Sequence, residues 1–133
     1  QGYLDDPMAT AQVIRDGWYV SGDLAVVDDD GFIHLKDRLS RFAKIAGEMV
    51  PHGAIEEALL EILGTDDEGM PRAVATSIPD EARGERIVVL HTAIDFPPDA
   101  LRERLGDAGL PNLFIPSKDS FVEVAALPLV GAG

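Results

Sequence analysis

Cysteine is absent from the 133 residues. Disulfides, thiolate catalysis and cysteine-based metal sites are thereby excluded, and a cytoplasmic setting is expected. No apolar run approaches about eighteen residues and no basic-then-apolar segment opens the chain, so neither a transmembrane helix nor a signal peptide is expected. Positive charge is scarce: Lys and Arg number 11 against 24 Asp and Glu, a formal net charge of −13. Neutralising nucleic-acid phosphates needs the opposite balance, so nucleic acid is not an expected partner. Anionic membrane surfaces are disfavoured on the same ground. His34, His52 and His91 have neither ligand spacing nor a carboxylate pattern around them; they are expected to be structural, with no metal site. Ser21, Ser40 and Ser77 lack a nucleophile-elbow context, which argues against a hydrolase triad.

Hydrophobic residues make up 46% of the chain, enough to pack a core in one domain, or in one small domain plus part of another. The few cations are unevenly placed. Lys36, Arg38, Arg41 and Lys44 fall within nine residues and account for four of the 11. Two readings fit: a solvated strand or turn face, or a local positive site for a phosphate-bearing ligand in an acidic body.

A helical pattern over 7–16 opens at Asp6-Pro7, an N-cap followed by first-turn proline, and Gly17 stops it. Short strands are expected at 18–20, 24–27 and 32–35, the last two joined by a hairpin turn at Asp28-Asp29-Asp30-Gly31. A second pair, 41–45 and 49–50, surrounds Ala46-Gly47-Glu48. The clearest helix is 53–63, with Ile55, Leu59, Ile62 and Leu63 on one face and Gly64 as its stop. Strands at 72–78 and 86–94 follow, joined through 79–84. Pro97-Pro98 opens a helix with Leu101, Leu105 and Ala108 on one face, and a strand at 120–126 comes last. This order predicts an α+β fold, three main strands covered on one face by two helices. Residues 1–36 have little core of their own.

Gly17-Trp18-Tyr19-Val20-Ser21-Gly22-Asp23, Asp30-Gly31-Phe32, Asp37-Arg38-Leu39 and Lys44-Ile45-Ala46-Gly47-Glu48 follow one another in a recognisable order. So do Pro79-Asp80, Gly84-Glu85 and the closing run from Leu127 to Gly133. Together they resemble the adenylate-forming superfamily of acyl-CoA synthetases, luciferases and peptide-synthetase adenylation domains. The run from Arg41 to Val50 is most similar to the synthetase half of bifunctional 2-acylglycerophosphoethanolamine acyltransferase/acyl–acyl-carrier-protein synthetases.

The resemblance implies the small C-terminal domain of such enzymes: a β-hairpin followed by a three-stranded sheet with two helices, preceded by a β-rich remnant of the large domain. Residues 1–39 would be the trailing segment of the large AMP-binding domain, and 40–133 the mobile domain. The parent would convert fatty acid and ATP, with Mg2+, to acyl-AMP and then acylate the phosphopantetheine thiol of acyl carrier protein. It would be cytoplasmic or associated with the cytoplasmic side of a membrane, with a lysophospholipid acyltransferase as a fused partner. A fragment using free CoA, or a non-catalytic interaction module retaining the fold, are the alternatives.

Read alone, Asp23 is a turn former and Arg38 a surface cation. By resemblance, Asp23 accepts hydrogen bonds from the ribose hydroxyls and Arg38 contacts the nucleotide; a carboxylate suits a diol and a guanidinium suits phosphate oxygens. Ser40 takes the hinge position, where the family more often has lysine or aspartate. Lys44, otherwise a solvated strand lysine, would serve the thioester step. Gly47, otherwise a turn or bulge glycine, would let the phosphopantetheine arm pass close to the backbone. The resemblance places a further catalytic lysine just past Gly133, and the large domain, in cis, supplies the phosphate loop and acyl pocket. The isolated fragment is therefore expected to be inactive, with no cofactor tightly bound.

Overall fold

Asp6 starts the first helix as its sequence suggests: its Oδ1 accepts the Ala9 N–H at 2.8 Å, and Pro7 occupies the first turn of α1 (Pro7–Val13). The computed structural model describes residues 2–128. The chain divides into two compact units, Gln1–Ser40 and Arg41–Gly133.

In the first unit α1 ends at Val13, three residues short of the expected stop. Asp16 and Gly17 both adopt left-handed backbone, with φ of 51° and 82°. That pair builds a two-residue hairpin loop, which claims Ile14 and Arg15 as strand. Accordingly β1 (Ile14–Arg15) pairs antiparallel with β2 (Trp18–Tyr19). β3 (Asp23–Val27) and β4 (Ile33–Arg38) form the expected second hairpin, with a register shift between Leu24 and Ala25. Asp28 organises the intervening loop, its Oδ1 accepting the N–H groups of Asp30 and Phe32. None of the described residues in this unit is buried, and Trp18, Phe32, Ile33 and Leu35 are all exposed. The unit has strands but no core.

The second unit has one. β5 (Phe42–Ile45) and β6 (Glu48–Pro51) form a hairpin around Ala46 and Gly47, whose φ values are 51° and 90°. α2 (His52–Leu63) follows and stops at Gly64, where φ is 66°. β7 (Ala73–Asp80) and β8 (Gly84–His91) pair antiparallel along their full length. α3 (Pro98–Asp107) precedes β9 (Phe121–Glu123), which lies parallel to β8 over Val89–His91. The hairpin joins this sheet through a single register pair, Ile45 with Gly84, so the strand order is β6-β5-β8-β7 with β9 also on β8. Ala43, Ile45 and Val50 meet Ile55, Ala58 and Leu59 of α2, Leu101 and Leu105 of α3, and Ala73, Ala75, Ile87 and Val89 in one buried cluster. Ile62 packs against it half-buried.

Three boundaries differ from the sequence reading. The turn between β7 and β8 is tighter, because Asp80 Oδ1 accepts the N–H groups of Ala82 and Arg83 and lets strand pairing run to Asp80 and Gly84. The last strand is shorter, since β8 ends at His91, whose carbonyl accepts the Val124 N–H as the last bond between the two strands. Ala108 is exposed rather than facing the core, because α3 ends at Asp107 and the chain turns at Gly109, where φ is 85°. Among the described residues no helix is long and apolar enough to cross a membrane. Residues 129–133, the glycine-bearing end of the resemblance, lie outside the described residues.

Candidate functional site

Asp23 begins β3 and Arg38 ends β4, and antiparallel pairing sets the two directly opposite one another. Arg38 Nε lies 3.2 Å from Asp23 Oδ1. The corner is fixed by its backbone: Gly22 has a φ of 76°, its carbonyl accepts the Leu39 N–H at 2.7 Å, and Ser21 Oγ accepts the Asp23 N–H. Asp23, Leu35, Lys36, Asp37 and Arg38 line a shallow depression of about 320 Å³. As an ion pair this contact adds little stability, because the Arg38 side chain is 70% exposed. As chemistry it presents carboxylate acceptor positions beside guanidinium donors, a combination that can serve a diol and an anion on one ligand.

Ser40 is exposed in the 3-10 turn Leu39–Arg41 and is the last residue of the first unit. The cationic stretch does not form one patch within either unit, since Lys36 and Arg38 belong to the first and Arg41 and Lys44 to the second. Its arginines are engaged: Arg38 by Asp23, Arg41 by Glu56 of α2.

Lys44 and Gly47 come together on the β5–β6 hairpin. Ala43 and Ile45 point into the core, so Lys44 between them points outward, opposite the exposed Met49. Gly47 is required by its left-handed φ; a side chain there would meet no atom within 4 Å, so the surrounding space does not demand glycine. The hairpin is tied to the β7–β8 turn through backbone groups. The Lys44 N–H donates to the Glu85 carboxylate, and the Ala46 N–H donates to the Arg83 carbonyl at 2.8 Å. The sequence reading gave Glu85 no role, although the Gly84-Glu85 pair was among the matched residues.

The histidines need one correction. His34 does have a carboxylate partner: its Nε2 lies 2.7 Å from Asp28 Oδ2. Sequence spacing hid the contact because the hairpin folds β4 back over the loop after β3. That bond, followed by the Phe32 N–H, holds the Asp28 carboxyl below the usual aspartate range. His91 is buried, with Nδ1 2.8 Å from the Thr92 carbonyl oxygen. Among the described residues no three His, Asp or Glu side chains gather as a metal site.

No protein-family model matches the chain. Among curated proteins it is similar to 4-hydroxybutyrate–CoA ligase 2 of Metallosphaera sedula, 42% identical over 85 residues, covering 63% of this chain and 14% of that protein. It is also similar to the feruloyl-CoA synthase of Amycolatopsis, at 38% over 85 residues (64% and 16%), and to the long-chain-fatty-acid–CoA ligase of Bacillus subtilis, at 34% over 87 residues (65% and 15%). The chain thus spans only 14% to 16% of the length of these relatives. Among solved structures, ATP-bound MatB from Rhodopseudomonas palustris superposes with a TM-score of 0.72 at 21% identity, covering 100% of this chain and 26% of that one. The o-succinylbenzoate CoA synthetase of Bacillus subtilis, solved with an acyl-adenylate intermediate, gives 0.67 at 22%, covering 96% and 25%. An amide bond synthetase from Marinactinospora thermotolerans gives 0.59 at 30%, covering 99% and 26%. The chain has the α+β fold of the C-terminal domain of adenylate-forming enzymes, and its sequence relatives are CoA ligases.

Proposed function

We propose that the chain is part of an ATP-dependent acyl-activating ligase. Such an enzyme joins a carboxylic acid to AMP with release of pyrophosphate, and then passes the acyl group to a phosphopantetheine thiol. The observation that carries the reading is the Asp23–Arg38 pair, held at facing register positions in an open depression. In this reading the Asp23 carboxylate accepts from the ribose hydroxyls and Arg38 donates to nucleotide oxygens. ATP would arrive with Mg2+, which neutralises phosphate charge.

The break between Gln1–Ser40 and Arg41–Gly133 supports a pivot at Ser40, with residues 1–39 assigned to a large AMP-binding domain and 40–133 to a mobile one. Lys44 and Gly47 then belong to the thiol step. Lys44 points to solvent and makes no ion pair among the described residues, so its ammonium is available to a ligand.

CoA is the acceptor that the named relatives support, and a fatty acid is the acid in the Bacillus subtilis relative's name. Acyl carrier protein is the second reading. It is favoured by Lys44, an exposed cation of the second unit on an acidic chain, which would meet an acidic partner locally. An acyltransferase fusion and a phospholipid role belong to that second reading and stand or fall with it.

The test uses the longer enzyme that contains this chain. Asp23→Ala is expected to slow both pyrophosphate exchange and thioester formation, because the nucleotide stays bound through both steps. Normal rates in both would overturn the reading. Supplying CoA and holo-carrier protein in parallel distinguishes the acceptors.

A further inference from the structure

Glu85 stands where two hairpins meet. One oxygen of its carboxylate accepts the backbone N–H of Lys44, and the other accepts the Ser77 hydroxyl at 3.1 Å. Ser77 lies on β7 opposite Ile87, so Glu85 reaches it diagonally across the β7–β8 ladder. Beyond the shared core, the remaining backbone attachment of β5 to this ladder is slight. Ile45 and Gly84 form the only register pair between β5 and β8, with the Ala46 N–H to Arg83 carbonyl bond beside it. Gly84 permits the close approach: its φ is 86°, and a side chain there would start 3.2 Å from the Lys44 carbonyl oxygen.

We infer that Glu85 is a positioning residue, which fixes the β5–β6 turn and its Lys44 and Gly47 against the β7–β8 hairpin so that they meet the thiol substrate in one geometry. The inference rests on the thiol-step role proposed above for those two residues. A carboxylate suits the task because it accepts two bonds at once, each strengthened by its charge. Aspartate has one methylene fewer and would fall short of one partner or the other. Glutamine keeps an acceptor oxygen for the Lys44 N–H, and its amide can donate to the Ser77 hydroxyl, so it is the conservative variant.

The structural half of the test uses the full chain and reads amide hydrogen exchange by NMR. Glu85→Ala is expected to raise exchange at the Lys44 amide at least tenfold. Glu85→Gln should recover most of the protection, and Ser77→Ala should leave it near the starting value. Unchanged Lys44 protection in Glu85→Ala would overturn the inference.

The functional half uses the longer enzyme. Thioester formation from synthetic acyl-adenylate should fall about tenfold in Glu85→Ala with pyrophosphate exchange retained, and Glu85→Gln should restore it. Equal loss of both steps would mark general damage and also overturn the inference. Lys44→Ala is assayed alongside. If it slows thioester formation while Glu85→Ala does not, only the role of Glu85 falls. If Lys44→Ala changes nothing, the underlying thiol-step reading fails, and the inference with it.

Discussion

Glu56 of α2 accepts the backbone N–H of Ala75 at 3.1 Å, on the strand that forms an open edge of the sheet. The Thr92 N–H to Arg72 carbonyl bond sets the alternation along β7, so Ala73, Ala75, Ser77 and Pro79 turn their backbone groups away from β8. Proline has no N–H at the last of these positions, and Glu56 occupies the donor at Ala75. Both features blunt an edge that could otherwise pair with another chain.

Glu56→Ala should therefore do two things. It leaves the N–H of Ala75, a residue only 8% exposed, without its acceptor, at a cost of about 1–3 kcal/mol. It also reopens the edge, so molar mass by light scattering should rise with protein concentration. Glu56→Gln keeps an acceptor and should remain close to the parent in both measurements. A lower urea midpoint for glutamine equal to that for alanine would show that the lost Arg41 contact, not the Ala75 bond, carries the effect.

Two glycines separate backbone strain from crowding. Gly47→Ala places a methyl group in open space and pays only for its left-handed φ, about 1–2 kcal/mol. Gly84→Ala carries similar strain and also sets its methyl 3.2 Å from the Lys44 carbonyl oxygen. Its urea midpoint should be the lower of the two, and the β5–β6 amides should lose protection only in that variant. Equal midpoints would show that the hairpin yields freely at this contact.

Much of this was legible in the sequence because it is written locally. The period of Ile55, Leu59 and Ile62 and the stop at Gly64 define α2 to within a residue, since helix pattern and cap depend on neighbours along the chain. Asp23 and Arg38 were selected separately, by resemblance; the register of β3 and β4 is what sets them face to face. What escaped was written across the chain. Glu85 is separated from Lys44 by 41 positions and from Ser77 by eight, and no local pattern marks a carboxylate that binds a distant backbone N–H. The short β1–β2 hairpin was a different failure. Asp16-Gly17 is a strong two-residue turn signal, but the helical pattern that Asp6-Pro7 opens runs on to the glycine in the sequence and masks it.

Acid should act visibly at Asp119. The Ser117 hydroxyl, its own backbone N–H and then Arg86 hold this carboxyl below the ordinary aspartate range. A group depressed in the folded state adds stability that is present above the unfolded value of about 3.9 and is lost as pH falls through the folded pKa. Asp28, depressed chiefly by His34, has the same sign. Carboxyl-detected NMR should find Asp119 titrating low, with Ser117→Ala raising it more than Arg86→Ala. The reverse order would place the cause in the ion pair rather than the hydroxyl.

Under the proposed function, Lys44 and Asp23 should separate the two half-reactions of the longer enzyme. Lys44 projects from the outer face of β5, in the unit that follows Ser40, and under the proposed pivot it meets ligands only after that unit moves. Lys44→Ala removes one charge-assisted contact, about 1.5–3 kcal/mol or roughly ten- to a hundredfold in rate, and should do so in thioester formation alone. Asp23 belongs to the corner proposed to hold the nucleotide and should affect both steps. The discriminating measurements are pyrophosphate release under single turnover and thioester formation from synthetic acyl-adenylate. If Lys44→Ala slows both equally, its charge is not confined to the thiol step, and the role proposed for this lysine after the pivot is overturned.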